Sequence, residues 1–179
     1  MTEIHSFAEI DASLRSIDTG EPATAKRRLF ASAARFQNRA VKPREWLVEG
    51  FIPNGTVTLL GGDGGSGKSL LAMMLATKDV RWLGRLPVQG PAIYCGAEDD
   101  IDEMHRRMAD ITDANFIQFT DLERLHVCSL AGQDALLAVE NPKTKVLAAT
   151  PLFAEIRDKI EAERPSLVVF DTLADLFGA

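Results

Sequence analysis

The chain has 179 residues, enough for one ordinary domain with a sizeable core. Composition is 46% hydrophobic and 26% charged, with a formal net charge of −6 and a pI of about 5.1, which excludes a surface made wholly for DNA or anionic lipid but leaves room for a local basic patch. No apolar run approaches the roughly 20 residues of a membrane span, and "MTEIHSFAEIDASL" lacks the basic start and apolar stretch of a signal peptide.

In chain order, residues 1–44 read as a helical, basic extension. "SFAEIDASLRSI" has weak helical spacing, and "PATAKRRLFASAARFQNRA" predicts a helix with Pro22 near its first turn. From Lys26 to Arg44 there are seven basic residues and no acid. Such a run is either a solvated helix face or a contact to nucleic acid or an acidic neighbouring subunit. Pro43 and Pro53 bracket "REWLVEGFI", an extended entry segment. Trp46 within it is either a buried anchor or a platform for a nucleotide base.

From Thr56 the pattern becomes βαβ. "TVTLL" predicts a short buried parallel strand, and "KSLLAMMLATK" places Leu70, Leu71, Met74 and Leu75 at helical spacing. "DVRWLGRLPVQG" reads as a loop, with Trp82 in the core or anchoring the loop. "PAIYCGA" predicts a second buried strand, and "EDDIDEMHRRMADI" a helix with an acidic opening that suits the macrodipole. "RLHVCSL" predicts a strand in which His126 is structural, and "ALLAV" is a candidate for another. "TPLFAEIRDKIEAE" predicts a helix with Thr150 as N-cap and Pro151 at the first position, and "SLVVFD" a buried strand ending at an acid. Cys95 and Cys128 have no motif spacing, which argues against a disulfide framework or zinc site, fits a reducing cytoplasm, and makes both small buried hydrophobes. Alternating strands and helices imply an α/β fold with a mostly parallel sheet and flanking helices, whose ligands bind beyond the carboxyl ends of the strands.

Three segments sit at such ends. Gly62-Asp63-Gly64-Gly65-Ser66-Gly67-Lys68-Ser69 matches G-x-x-x-x-G-K-[ST] at every fixed position. Bare glycine backbone lets amide N–H groups curl around phosphate oxygens, and the helix that follows, through Leu70, adds its positive dipole end. Lys68 would reach the β- and γ-phosphates of a nucleoside triphosphate, and the Ser69 hydroxyl would bind Mg²⁺. Asp171, ending "LVVFD", is the Walker B candidate for the same Mg²⁺. Hydrolysis also needs a carboxylate to polarise water. Thr172, which follows Asp171, cannot supply one, and Glu98 is the best-placed acid, with Asp99 and Asp100 as competitors. All three acids would also suit a helix N-terminus.

These pieces together resemble the RecA-like P-loop ATPases, and most closely the AAA-type group related to the plasmid-encoded hexameric replicative helicase. The resemblance rests on "EWLVEGFIPNGTVTLLGGDGGSGKSLLAMMLA", "AIYCGAEDDIDEMHRRM" and "LVVFDTLADLFG", and spans roughly residues 45–179. It implies a catalytic base at Glu98, P-loop roles for Lys68 and Ser69, and Mg²⁺ binding by Asp171. It further implies ATP rather than GTP, a ring of like subunits, and work on DNA. His105, Arg106 and Arg107 also look like the family's pattern, as a solvated helix face or a subunit contact.

The segment between Thr77 and Trp82 looks short for the family, so the first helix is expected to end early. The family continues past the Walker B strand with a helix and at least two strands. One of these lies between the P-loop and Walker B strands. The sequence ends at Ala179, so the expectation is a fragment or truncated product, with two strands facing each other across roughly 10 Å unless they collapse or another chain fills the slot. The rival readings are a small-molecule kinase on the same loop, which lacks an evident lid segment, and a non-hydrolysing nucleotide-binding or assembly module.

Overall fold

The computed structural model describes residues 30–77 and 90–177. Two units, Met1–Lys42 and Pro43–Ala179, emerge from the chain's own contacts. In the first, residues 30–42 are exposed and hold a single 3-10 turn, Ala33–Phe36, without a buried residue. The helix expected from Pro22 to Ala40 is therefore absent over its described part. Its alanines and arginines offer no apolar stripe to bury, and helices are held chiefly by such burial. The "SFAEIDASLRSI" helix, the Pro22 start and the loop containing Trp82 lie outside the described residues.

In the second unit the entry segment is a ribbon rather than a single extended stretch. Strand β1 (Trp46–Val48) pairs antiparallel with β2 (Ile52–Pro53) around Gly50, whose φ of +79° suits the turn. Leu47 and Val48 are buried. Arg44 lies over the Trp46 ring, 5.4 Å from its centroid, so at least one face of the indole is already taken by a cation.

Helix α1 (Lys68–Ala76) follows the glycine loop and ends early, as expected, with Thr77 as its C-cap. The central sheet is parallel, with β3 (Ala92–Gly96) between β4 (Leu125–Ser129) and β7 (Leu167–Asp171). Helix α2 (Ile101–Asn115) joins β3 to β4, and α3 (Pro151–Glu163) precedes β7. A second ribbon, β5 (Ala138–Glu140) with β6 (Leu147–Ala149), stands between β4 and α3. "ALLAV" thus contributes only the first strand of a hairpin, turned at Asn141-Pro142. Helix α4 (Leu173–Phe177) follows β7.

The apolar pattern explains the layers. Every residue of β3 is buried, and alternate side chains serve opposite faces. Ala92 and Tyr94 join Met73 and Ala76 of α1 and Met104, Met108 and Ile111 of α2. Ile93 and Cys95 join Leu130, Ala135, Leu137, Ile156 of α3 and Leu176 of α4. Met73, Met104 and Leu176 are fully buried, each stabilising the fold by about 2 kcal/mol relative to exposure. Two helix starts are capped, the second as expected: Asp100 accepts from Glu103 N–H at 2.7 Å, and Thr150 Oγ1 from Phe153 N–H at 3.2 Å.

The predicted strand ahead of the glycine loop departs from expectation. Residues 57–60 carry no ladder hydrogen bonds; Val57 is fully exposed and Leu59 is 76% exposed. A β-branched apolar run becomes a strand only where a neighbour supplies hydrogen-bond partners, and none of the described strands lies beside it.

Candidate nucleotide site

The glycine loop is organised around one carbonyl. Asp63 C=O accepts the Ser66 N–H at 3.3 Å, the Ser66 hydroxyl at 2.7 Å and the Lys68 ammonium at 2.7 Å. Gly65 and Gly67 take φ of +73° and +84°, left-handed values that strain any side-chain-bearing residue. This winding leaves the N–H groups of Gly64, Gly65, Gly67, Lys68, Ser69 and Leu70 without a protein acceptor among the described residues; the first helical bond runs from Leu71 N–H to Gly67 C=O. Among the described residues the Lys68 charge likewise meets a carbonyl and no carboxylate. Unfilled donors plus one uncompensated cation suit a polyanion.

The direction of α1 fixes where this loop lies. The helix packs on β7 and β3. Its C-terminal residues Ala76 and Thr77 share a shallow cavity with Arg124 and Leu125, at the start of β4. The helix therefore runs against the strands. Its nine residues span roughly 13 Å, about one five-residue strand, so its N-terminus comes to the carboxyl end of the sheet.

At that end the register sets Asp171 opposite Gly96, on the face covered by α1. Ala97 N–H donates to Asp171 C=O at 2.6 Å, Leu130 N–H to Gly96 C=O at 2.8 Å, and Ser129 Oγ to Asp99 C=O at 2.9 Å. These bonds tie the 97–99 turn to the tips of both neighbouring strands. The Asp171–Thr172 peptide bond is cis, and the Thr172 hydroxyl bonds to Asp175.

The three clustered acids separate by their engagements. Asp100 caps α2. Asp99 meets Arg107 Nη1 at 2.6 Å, and burial still raises its carboxyl above the usual range despite that partner. Arg106 and Arg107 both bond to Glu103, at 2.9 and 3.0 Å, and His105 meets Phe119 edge-on at 5.2 Å. Glu98 is exposed and makes no hydrogen bond or ion pair among the described residues.

Asp171 is held from within the core. The Tyr94 hydroxyl donates to its Oδ2 at 2.7 Å, a contact the sequence patterns did not single out. Burial first, then that hydrogen bond, push the Tyr94 phenol well above its ordinary range, so it remains a donor. Oδ1 has no partner among the described residues. The described residues hold no group of three or more His, Cys, Asp or Glu side chains able to cage a metal. One carboxylate and the Ser69 hydroxyl are hard oxygen donors, a sparse set of the kind Mg²⁺ accepts while keeping water and phosphate ligands.

His126, in β4, meets Glu163 at 3.2 Å, in keeping with a structural role. Cys95 and Cys128 are register partners on β3 and β4, both free. Their mutual hydrogen bond and burial push the Cys95 thiol up, and that bond pulls the Cys128 thiol down to about 7.

The family model described as "AAA domain" matches residues 21–179, and the chain belongs to that family, the AAA-type P-loop ATPases. No solved structure matches the chain. Its α/β architecture with a parallel sheet agrees with a P-loop NTPase fold, and its family membership with nucleotide binding. Among the described residues no helix is long and apolar enough to cross a membrane.

Proposed function

We propose that residues 45–179 form a RecA-like core that binds and hydrolyses ATP with Mg²⁺, preceded by a basic extension over 1–44. The observation that carries this reading is the set of amides at Gly64, Gly65 and Gly67 through Leu70 that have no protein acceptor, with Lys68 lacking an acid partner, among the described residues, at the sheet edge that also bears Asp171 and Glu98. The triphosphate lies along Gly62–Ser69, and Lys68 leaves the Asp63 carbonyl to bridge the β- and γ-phosphates. Ser69 and Asp171 would hold a Mg²⁺, which would supply neutralisation of the phosphate charge. Glu98, with no competing partner, orients and deprotonates the attacking water.

The resemblance to a hexameric replicative helicase supports a cytoplasmic ATPase in DNA replication or recombination, working as a ring of like subunits with DNA as partner. The test is ATP turnover with and without single-stranded DNA. Stimulation by DNA supports the reading. Turnover that requires a small-molecule phosphate acceptor identifies a kinase. ATP binding without turnover identifies an assembly module.

A further inference from the structure

We propose that Tyr94 is a positioning residue for the metal-binding carboxylate, holding Asp171 so that one oxygen faces the core and the other faces the nucleotide site. The inference rests on the reading of Asp171 as a Mg²⁺ ligand.

The geometry carries it in three parts. Tyr94 is fully buried, on the middle strand, in the cluster that α1 and α2 close over. A buried phenol requires a hydrogen-bond partner, and this one takes the strand-end carboxylate at 2.7 Å. Next, the register makes the two residues diagonal neighbours: Tyr94 pairs with Val169, and Asp171 pairs with Gly96. The ring must therefore lean over position 96 to reach the carboxylate. Finally, position 96 is bare. A Cβ there would lie 3.1 Å from Tyr94 Cε1 and 2.7 Å from Met104 Cε. Gly96 thus keeps the path open, and Met104, fully buried, backs the site from α2.

The consequence concerns the freedom of a ligand. A strand-end aspartate exposed to water samples several rotamers. Bonded through Oδ2 to a ring locked by packing, the carboxylate keeps one orientation and presents Oδ1. Groups that orient a ligating side chain in this way typically change metal affinity about 10- to 100-fold when removed.

Tyr94→Phe removes only the hydroxyl. With ATP present, Mn²⁺ binding read by electron paramagnetic resonance is expected to weaken about 10-fold or more, while ATP binding in EDTA stays unchanged. Wild-type Mn²⁺ affinity in this variant, or an equal loss of metal-free ATP binding, overturns the inference. Tyr94 is the only tyrosine in the chain, so 3-fluorotyrosine labelling yields a single fluorine resonance that decides the matter even if the variant does not fold. Adding Mn²⁺ and ATP should broaden that resonance away, and Asp171→Asn should shift it in the unliganded protein. A resonance indifferent to both overturns the inference. Asp171→Asn with wild-type Mn²⁺ affinity instead sinks the reading of Asp171 as a ligand. Metal loss in Asp171→Asn with none in Tyr94→Phe sinks the role of Tyr94 alone.

Discussion

Arg107, in the second turn of its helix, grips Asp99 ahead of the helix start at 2.6 Å, while Glu98, the next residue upstream, faces solvent with no partner among the described residues. Adjacent carboxylates are thereby divided between a structural task and an open one. Glu98→Gln is expected to keep ATP binding and to lower turnover by about 10²- to 10⁴-fold, the usual contribution of a positioned base. Asp99→Asn should retain most of the turnover. Steady-state phosphate release on both variants checks this, and the opposite ranking moves the base to Asp99.

Among the described residues Lys68 meets only the Asp63 carbonyl. Lys68→Ala should therefore leave folding intact and weaken ATP binding by about 100-fold, the scale of a lost charge-assisted hydrogen bond to phosphate. Calorimetric titration measures it. Affinity equal to that of the wild type would remove the loop from the account.

Gly67 joins loop to helix at φ +84°. Nothing lies within 4 Å of a Cβ placed there, so Gly67→Ala introduces strain without a clash. The expected penalty is about 1–2 kcal/mol, seen either as a lower urea midpoint or as weaker ATP binding. An unchanged value in both measurements would show that the left-handed winding is not required.

The paired thiols differ in acidity in a way alkylation can read. Cys128 is a thiol below about pH 7 and a thiolate above it, because the Cys95 hydrogen bond favours its charged form. Iodoacetamide should label Cys128 with a rate that rises through pH 7, while buried Cys95 resists until the protein unfolds. Mass spectrometry of peptides quenched from pH 6 to pH 9 distinguishes this from two ordinary thiols with a common midpoint near 8.5.

Thr150 holds helix α3 and the second ribbon at once. Its hydroxyl accepts from Phe153 N–H and donates to Leu136 C=O at 2.7 Å. Thr150→Ala should destabilise the fold by about 1–2 kcal/mol, measured by urea unfolding, with ATP affinity unaffected.

Much of this was legible in the letters. Thr150-Pro151 and the apolar run along Ala92–Gly96 specify local structure through a cap and a pattern, and the helix start and the buried strand appear where the sequence put them. The P-loop register follows from glycine spacing alone. What the letters did not reveal depends on partners distant in the chain. Val57–Leu60 has strand chemistry without a strand beside it. Residues 30–40 have helical composition without a face to bury. The Tyr94–Asp171 bond joins residues 77 positions apart, and only the strand register makes them diagonal neighbours. Cys95 and Cys128 became a pair by the same route.

The unpaired run at residues 57–60 has a consequence for ligand affinity. It is the upstream root of the phosphate loop, and among the described residues no ladder bond anchors it to the sheet. Among the described residues the donors of Gly64 to Leu70 are thus held by helix α1 and by the Asp63 carbonyl, with no ladder bond upstream. Apparent affinity for ATP is then the intrinsic affinity scaled by the fraction of molecules whose root is in place. Whatever docks against that root, by shifting this fraction, acts as a gain control on nucleotide capture without touching the nucleotide.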